Sequence, residues 1–143
     1  MLLGQFLINP TQQILNKTMD ATSLRNNVIA DNIANSDTPG FKRREVLFEE
    51  KLRNALVDAN LPKDNLLLVR TQRRHLQIGE KNNYDIEPEI VRQTHTTFRN
   101  DGNNVDIDYE MAINTKNKLL YDALGHSMNA ELGLMRLAIT GRS

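Results

Sequence analysis

Asp101, Asn103, Asp106, Asp108 and Glu110 crowd oxygen donors into a short stretch, a density that a calcium loop would use. An EF-hand loop starting at Asp101 needs a ligand at its fifth position and glycine at its sixth, where this chain has Val105 and Asp106. The register fails, and the same residues read as a turn followed by a helix that starts at an Asp106 N-cap, with Asp108 and Glu110 in its positive first turn. His75, His95 and His126 lie in three separate segments, with no i, i+4 pairing and no cysteine to complete a zinc site. Ser23, Ser36, Ser127 and Ser143 sit in helical, turn or terminal contexts, none of them inside a G-x-S-x-G nucleophile elbow. Glu49-Glu50 reads as the solvated face of a short charged helix, and the glycines build no phosphate loop. No enzymatic activity, metal, cofactor or small-molecule substrate is expected.

The balance of charges points the same way. Lys+Arg 18 offsets Asp+Glu 18, which leaves no electrostatic footprint for nucleic acid or an acidic membrane. A basic cluster at Arg70, Arg73, Arg74 and His75 is followed by Glu80, Asp85 and Glu87 and reads as a solvated face. With 39% apolar residues, 5% aromatic and no Trp, a self-contained globule of 143 residues would have a thin core. Zero cysteines exclude disulfides and thiolate chemistry. The opening MLLGQFLINP has no basic region or small-residue cleavage site, so it is not expected to act as a secretory leader. Nothing approaches the roughly 20 apolar residues of a membrane span.

The elements that remain are helices built to be covered. Apolar residues at Ile14, Ala21, Leu24 and Val28, with a second row at Leu15, Met19, Ile29 and Ile33, predict a helix over residues 10–34. Asn26, Asn27, Asn32 and Asn35 fill much of its surface, each costing up to ~0.7 kcal/mol relative to Ala in a helix interior, so this helix depends on packing from outside. Ser36 to Gly40 end it, with Pro39-Gly40 suited to the centre of a type II turn. A second, shorter helix is expected within residues 46–57, closed by Leu61-Pro62. Leu66 to Val69 and Thr94 to Phe98 suggest strands in an irregular lobe.

From Ile107 to Thr140 runs the longest helical pattern, with Tyr109, Ala112, Leu119, Ala123, Ala130 and Leu137 on a heptad seam that Leu120, Leu124, Leu134 and Met135 widen. Gly125 and Gly133 interrupt it and would allow a neighbouring backbone to come close. The fold class is therefore mainly α: long N- and C-terminal helices packed as a coiled coil, a short third helix, and a small irregular β-containing middle lobe. The corresponding boundaries are 1–40, 41–104 and 105–143. A single pair of such helices leaves part of each stripe wet, so further copies or relatives must cover the rest. Leu24, Val28 and Leu120 are expected to face helix partners.

NVIADNIANSDTPGFKR (27–43) resembles the amino-terminal motif of the flagellar axial proteins, which form the rod, hook and hook–filament junction. The C-terminal helix resembles theirs as well, and the short length with RTQRRHL (70–76) and DGNNVDIDYEMA (101–112) is similar to the small proximal rod members. The resemblance implies a structural subunit of the basal-body rod, outside the cytoplasmic membrane and periplasmic in a two-membrane envelope, exported unfolded by the flagellar type III apparatus. It assigns Asn32, Asn35, Thr38, Pro39, Gly40 and Phe41 to the family's helix-ending turn and Gly102 to Asp106 to the entry of its last helix. The terminal helices, including Leu24, Val28, Ile33, Leu119, Leu120, Ala123 and Leu137, would form an inner tube. Implied partners are copies of the same chain, other rod proteins, the adaptor FliE, and the membrane ring and export gate. The competing readings are another small rod protein, or a soluble coiled-coil adaptor or chaperone of the export system.

Overall fold

A computed structural model describes residues 10–60, 86–94 and 100–141. Its elements follow the order α1 (Pro10–Ala34), β1 (Arg44–Leu47), α2 (Glu49–Asn60), β2 (Glu89–Arg92) and α3 (Ile107–Thr140). Pro10 opens α1, where its fixed φ fits and its missing N–H leaves nothing unpaired. The helix has no acidic residue in its first turn and no basic residue in its last, so neither end of its dipole is complemented. Its support comes instead from one buried face, Ala21, Thr22, Val28, Ile29 and Asn32, turned toward α3 and β1.

α3 runs antiparallel to α1, as two cross-helix contacts fix: Asn117 Nδ2 donates to the Thr22 carbonyl at 2.9 Å and Asn32 Nδ2 to Glu110 Oε2 at 3.2 Å. Equal steps outward along both helices from the Thr22–Asn117 contact set Pro10 opposite about residue 129. The last turns of α3 therefore project past the described start of α1.

α1 ends in a turn whose Phe41 N–H donates to the Thr38 carbonyl at 3.2 Å, with Gly40 at φ +71°, the positive value that the third position of a type II turn demands. Beyond it the structure corrects the sequence reading: Arg44–Leu47 is a strand, and the second helix starts at Glu49. β1 pairs antiparallel with β2 in the register Arg44↔Arg92 to Leu47↔Glu89. Val46 and Phe48 are buried on either side of exposed Leu47, which is the alternation of a strand and not of a helix, but so short a run is hard to separate from the helix that follows it; pairing with a distant segment decides. Strand β2 likewise lies at Glu89–Arg92, starting directly after Pro88, where the missing ladder N–H does least harm, and ends before Thr94. The suggested strand at residues 66–69 and positions 95–99 fall outside the described residues.

The core is small, as the scarcity of aromatics requires. Among the described residues Ala21, Val28, Ile29, Val46, Phe48 and Val105 are its buried apolar side chains, and Phe48 is the largest of them. Among the described residues no helix is long and apolar enough to cross a membrane, and no three His, Asp or Glu side chains gather where a metal ion could be held.

Asp106 caps α3 as the sequence indicates, its carboxylate accepting from the Asp108 and Tyr109 N–H groups at 3.0 and 3.3 Å. At the far end Gly141, at φ +63°, donates its N–H to the Leu137 carbonyl. Replacing Asp106 by Ala leaves those N–H groups to solvent and should lower stability by about 1 kcal/mol, read as a lower urea midpoint at unchanged slope; an unchanged midpoint would show that the cap is idle.

A polar clasp and an open apolar face as the candidate assembly interface

Where α1 ends and α3 begins, the protein buries amides and charges instead of hydrocarbon. Asn103 is fully buried, and its Nδ2 reaches the carbonyls of Asn35, Ser36 and Thr38 at 3.0, 2.9 and 3.0 Å. These are carbonyls that the end of α1 and the following turn leave without helical partners, so one side chain from a distant segment serves as the C-terminal cap. The Asn103 Oδ1 accepts from Val105 N–H at 2.7 Å, which holds the amide in this orientation. Gly40 N–H donates to the Asp101 carbonyl, and a Cβ on Gly102 would sit 3.8 Å from the Gly40 Cα. That separation is ordinary contact, so glycine is required at 102 by its φ of +82° and not by space.

One turn away, Asn32 presents its amide to a backbone edge as another strand would. Its Nδ2 donates to the Arg44 carbonyl at 2.8 Å and its Oδ1 accepts from Arg44 N–H at 3.0 Å. Asn104 does the same between the strands, accepting from Arg43 N–H at 2.7 Å and donating to the Gln93 carbonyl at 2.9 Å. Arg43 lies between them. Its Nε donates to Glu110 Oε1 at 2.5 Å, a second N–H reaches Glu45 at 2.7 Å, and the guanidinium stacks 5.1 Å above the Tyr109 ring. Burial alone would weaken the charged form of Arg43, but the hydrogen bonds to Glu110 and Glu45 outweigh it and hold its pKa above the usual arginine value. Glu110 is itself fully buried, so the pair joins the residue just before β1 to α3 by a direct contact in a poorly screened site.

Further along α3 the inward row continues through Ile113, Asn114, Asn117, Leu124 and Met128. The heptad seam read from the sequence lies one residue back, about 100° around the helix. Tyr109, Leu119 and Leu137 on that seam are 53%, 66% and 43% exposed, and Ala112, Ala123 and Ala130 are exposed beside them. Leu134 and Ile139 continue the open apolar surface toward the tip. At Gly125 and Gly133 nothing among the described residues lies within 4 Å of where a Cβ would be, so the described residues do not make the close approach these glycines allow.

The structure thus sorts the residues singled out from sequence into separate places. Asn32 is fully buried in the clasp, and Val28 is in the core; Leu24, Ile33, Asn35 and Phe41 are half-buried, with Arg44 over the Phe41 ring at 5.7 Å. Thr38, Pro39 and Gly40 form the exposed turn, and Asp106 is the cap. Leu119, Leu120, Ala123 and Leu137 lie on the exposed side of α3. Sequence reasoning missed the clasp itself: Glu110 reads as a dipole partner and Asn103 as a turn former, and Arg43 is not singled out. A signal was present. Asn32 and Asn117 fall where the apolar rows through Val28 and Ile113 step by four, and a polar residue at such a step is one that must find a buried partner.

Comparison with known proteins adds an independent line. A family profile of flagella basal body rod proteins matches residues 13–42, which is most of α1 and the turn. The chain is 41% identical over 104 residues to the flagellar basal body rod protein FlgB of Borreliella burgdorferi, covering 72% of this chain and 76% of that one. It is 41% identical over 109 residues to FlgB of Borrelia hermsii, covering 76% and 79%. Against FlgB of Bacillus subtilis the identity is 31% over 135 residues, covering 94% of this chain and 97% of the relative.

Removing one half of a buried ion pair is far costlier than the pair is worth. Glu110→Ala should therefore destabilise by about 3–5 kcal/mol, since Arg43 stays buried without its partner. Glu110→Gln keeps an acceptor and should lose less. Urea unfolding followed by circular dichroism separates the two, and equal losses would argue that the charge alone, and not the shape or the retained acceptor, is what Glu110 supplies.

Proposed function

The chain belongs to the flagellar basal body rod protein family, and from that membership we propose that it is a structural subunit of the rod whose exposed face on α3 is its assembly surface. The observation that carries the proposal is the division of α3: the helix turns Glu110, Asn114 and Asn117 toward its own chain among Ile113, Leu124 and Met128, and leaves Tyr109, Leu119, Leu134 and Leu137 exposed. A helix that spends its own hydrocarbon on solvent gains that free energy only when another helix covers it. Copies of the same chain and other rod components are the partners that family membership supports. The adaptor FliE, the membrane ring and the export gate are the finer partners proposed at the base of the rod.

The geometry supports a division of labour as part of this reading. Leu24, Val28 and Ile33 hold the helix pair together, while Asn32, Asn35 and the turn Thr38 to Phe41 fix the angle at which the middle lobe leaves it. Leu119, Leu120, Ala123 and Leu137 meet neighbouring subunits, and Asp106 sets where α3 begins. In a rod that transmits torque, a rigid joint between the axial helices and the lobe passes load from subunit to subunit; the clasp is built as such a joint.

Leu119→Asp and Leu137→Asp alter side chains already in water, so the purified chain should keep its unfolding midpoint within about 0.5 kcal/mol. The same strains should lose motility and lack the chain in isolated basal bodies. Val28→Asp, by contrast, should unfold the monomer. Normal swimming with Leu119→Asp, or a discrete soluble dimer that never appears in basal bodies, would overturn the rod reading.

A further inference from the structure

Between α1, the β1–α2 corner and α3 lies a cleft of about 600 Å³, within the roughly 300–1,000 Å³ range of built binding sites. Ile113, Lys116, Asn117 and Leu120 give it one wall, since residues spaced by three, four and seven share a helix face. Val28 and Val46 supply its apolar floor, which Leu120 extends at 36% exposed.

The charge in the cleft is uneven. Three of its five cations are already held: Arg25 by Glu49, Arg43 by Glu45 and Glu110, and Arg44 by Asp31. Arg53 and Lys116 are exposed and have no ion-pair partner among the described residues, and Glu50 is the one lining carboxylate outside those pairs. A positive excess over an apolar floor calls for an occupant that is negative and partly hydrocarbon. Asn117 adds a third requirement. It is 5% exposed and donates its Nδ2 to the Thr22 carbonyl at 2.9 Å, which fixes the amide and leaves Oδ1 with no partner among the described residues. A buried acceptor of this kind is completed by an N–H.

We infer that the cleft seats an acidic segment of an adjoining rod subunit, one that carries an apolar side chain beside its carboxylate. The inference rests on the rod reading and adds to it a contact surface distinct from the exposed seam of α3. The carboxylate sits between Arg53 and Lys116, the apolar side chain covers Ile113 and Leu120, and an N–H of the same segment donates to Asn117 Oδ1. An inorganic anion would answer the cations and leave the floor wet. A purely apolar helix face would cover the floor and leave both cations and the buried acceptor unanswered.

Lys116 itself is the probe, because a carbodiimide joins an amine to a carboxylate only when the two already touch. Isolated basal bodies treated with a water-soluble carbodiimide should give a band heavier than the single chain in which Lys116 is joined by an amide bond to an Asp or Glu of another subunit, identified by peptide mass spectrometry. Lys116→Arg keeps the charge but not the reactive amine, so that cross-link should vanish from basal bodies that still contain the chain. Arg53→Glu with Lys116→Glu changes exposed side chains, so the purified chain should keep its urea midpoint, while its amount in basal bodies should fall by about tenfold or more through like-charge repulsion. Basal bodies in which Lys116 stays uncoupled, or couples only to Glu50, overturn the acidic-segment contact and leave the rod reading intact, as does a double charge reversal that assembles at the wild-type level. Absence of the wild-type chain from basal bodies overturns both.

Discussion

The buried contact between Arg43 and Glu110 is the constraint on which the rest of the structure turns. A carboxylate with no exposed surface needs a polar partner delivered to it, and Arg43 is delivered from the position just before the strand that follows the α1 turn. The strand must therefore lie against the first turn of α3, and α1, which ends just before it, must enter beside the same turn. Asn32, Asn103 and Asn104 then supply the hydrogen bonds that the surrounding backbone would otherwise lack. A hydrocarbon junction of the same size would tolerate slippage; an ion pair framed by amides accepts one geometry. That specificity is what a joint between two helices and a lobe requires, at some expense in stability.

The polar character of the joint also explains how the chain distributes its scarce hydrocarbon. With few aromatic rings, it commits Phe48, Val46, Val28, Ile29 and Val105 to a narrow core under the turn. Much of the apolar surface of α3 is left outside. For a free-standing domain that would be a poor bargain, but for a subunit covered on several sides it moves the hydrophobic free energy from folding to assembly. The rod family membership and the open face are two views of this one allocation.

Both long helices were legible from periodicity and caps, and their ends coincide with the expected ones because Pro10, Asp106 and the Pro39-Gly40 turn are local signals. Strand β1 was not legible, since the alternation at Val46 and Phe48 is too short to separate from the helix that follows it and the strand depends on pairing with Glu89–Arg92, far along the chain. The face of α3 that meets α1 was missed for a related reason. Apolar periodicity finds the surface where hydrocarbon is, and here the intrachain contact is made through Glu110 and Asn117. The turn motif was read correctly as a helix stop, but its cap, Asn103, comes from residues that no local rule connects to it.

The contacts that close the clasp join residues very distant in sequence: 68 positions separate Asn35 from Asn103, 78 separate Asn32 from Glu110, and 95 separate Thr22 from Asn117. Such pairings contribute high contact order, because the entropy of closing a long loop is spent before any of them forms. When the chain emerges from its amino-terminal end, α1 and its turn appear with their capping amide and buried carboxylate still to come. The carbonyls of Asn35, Ser36 and Thr38 lack the Asn103 amide until a further 68 residues have followed Asn35. The joint is thus also a clock: its geometry ties completion of the fold to arrival of the last helix.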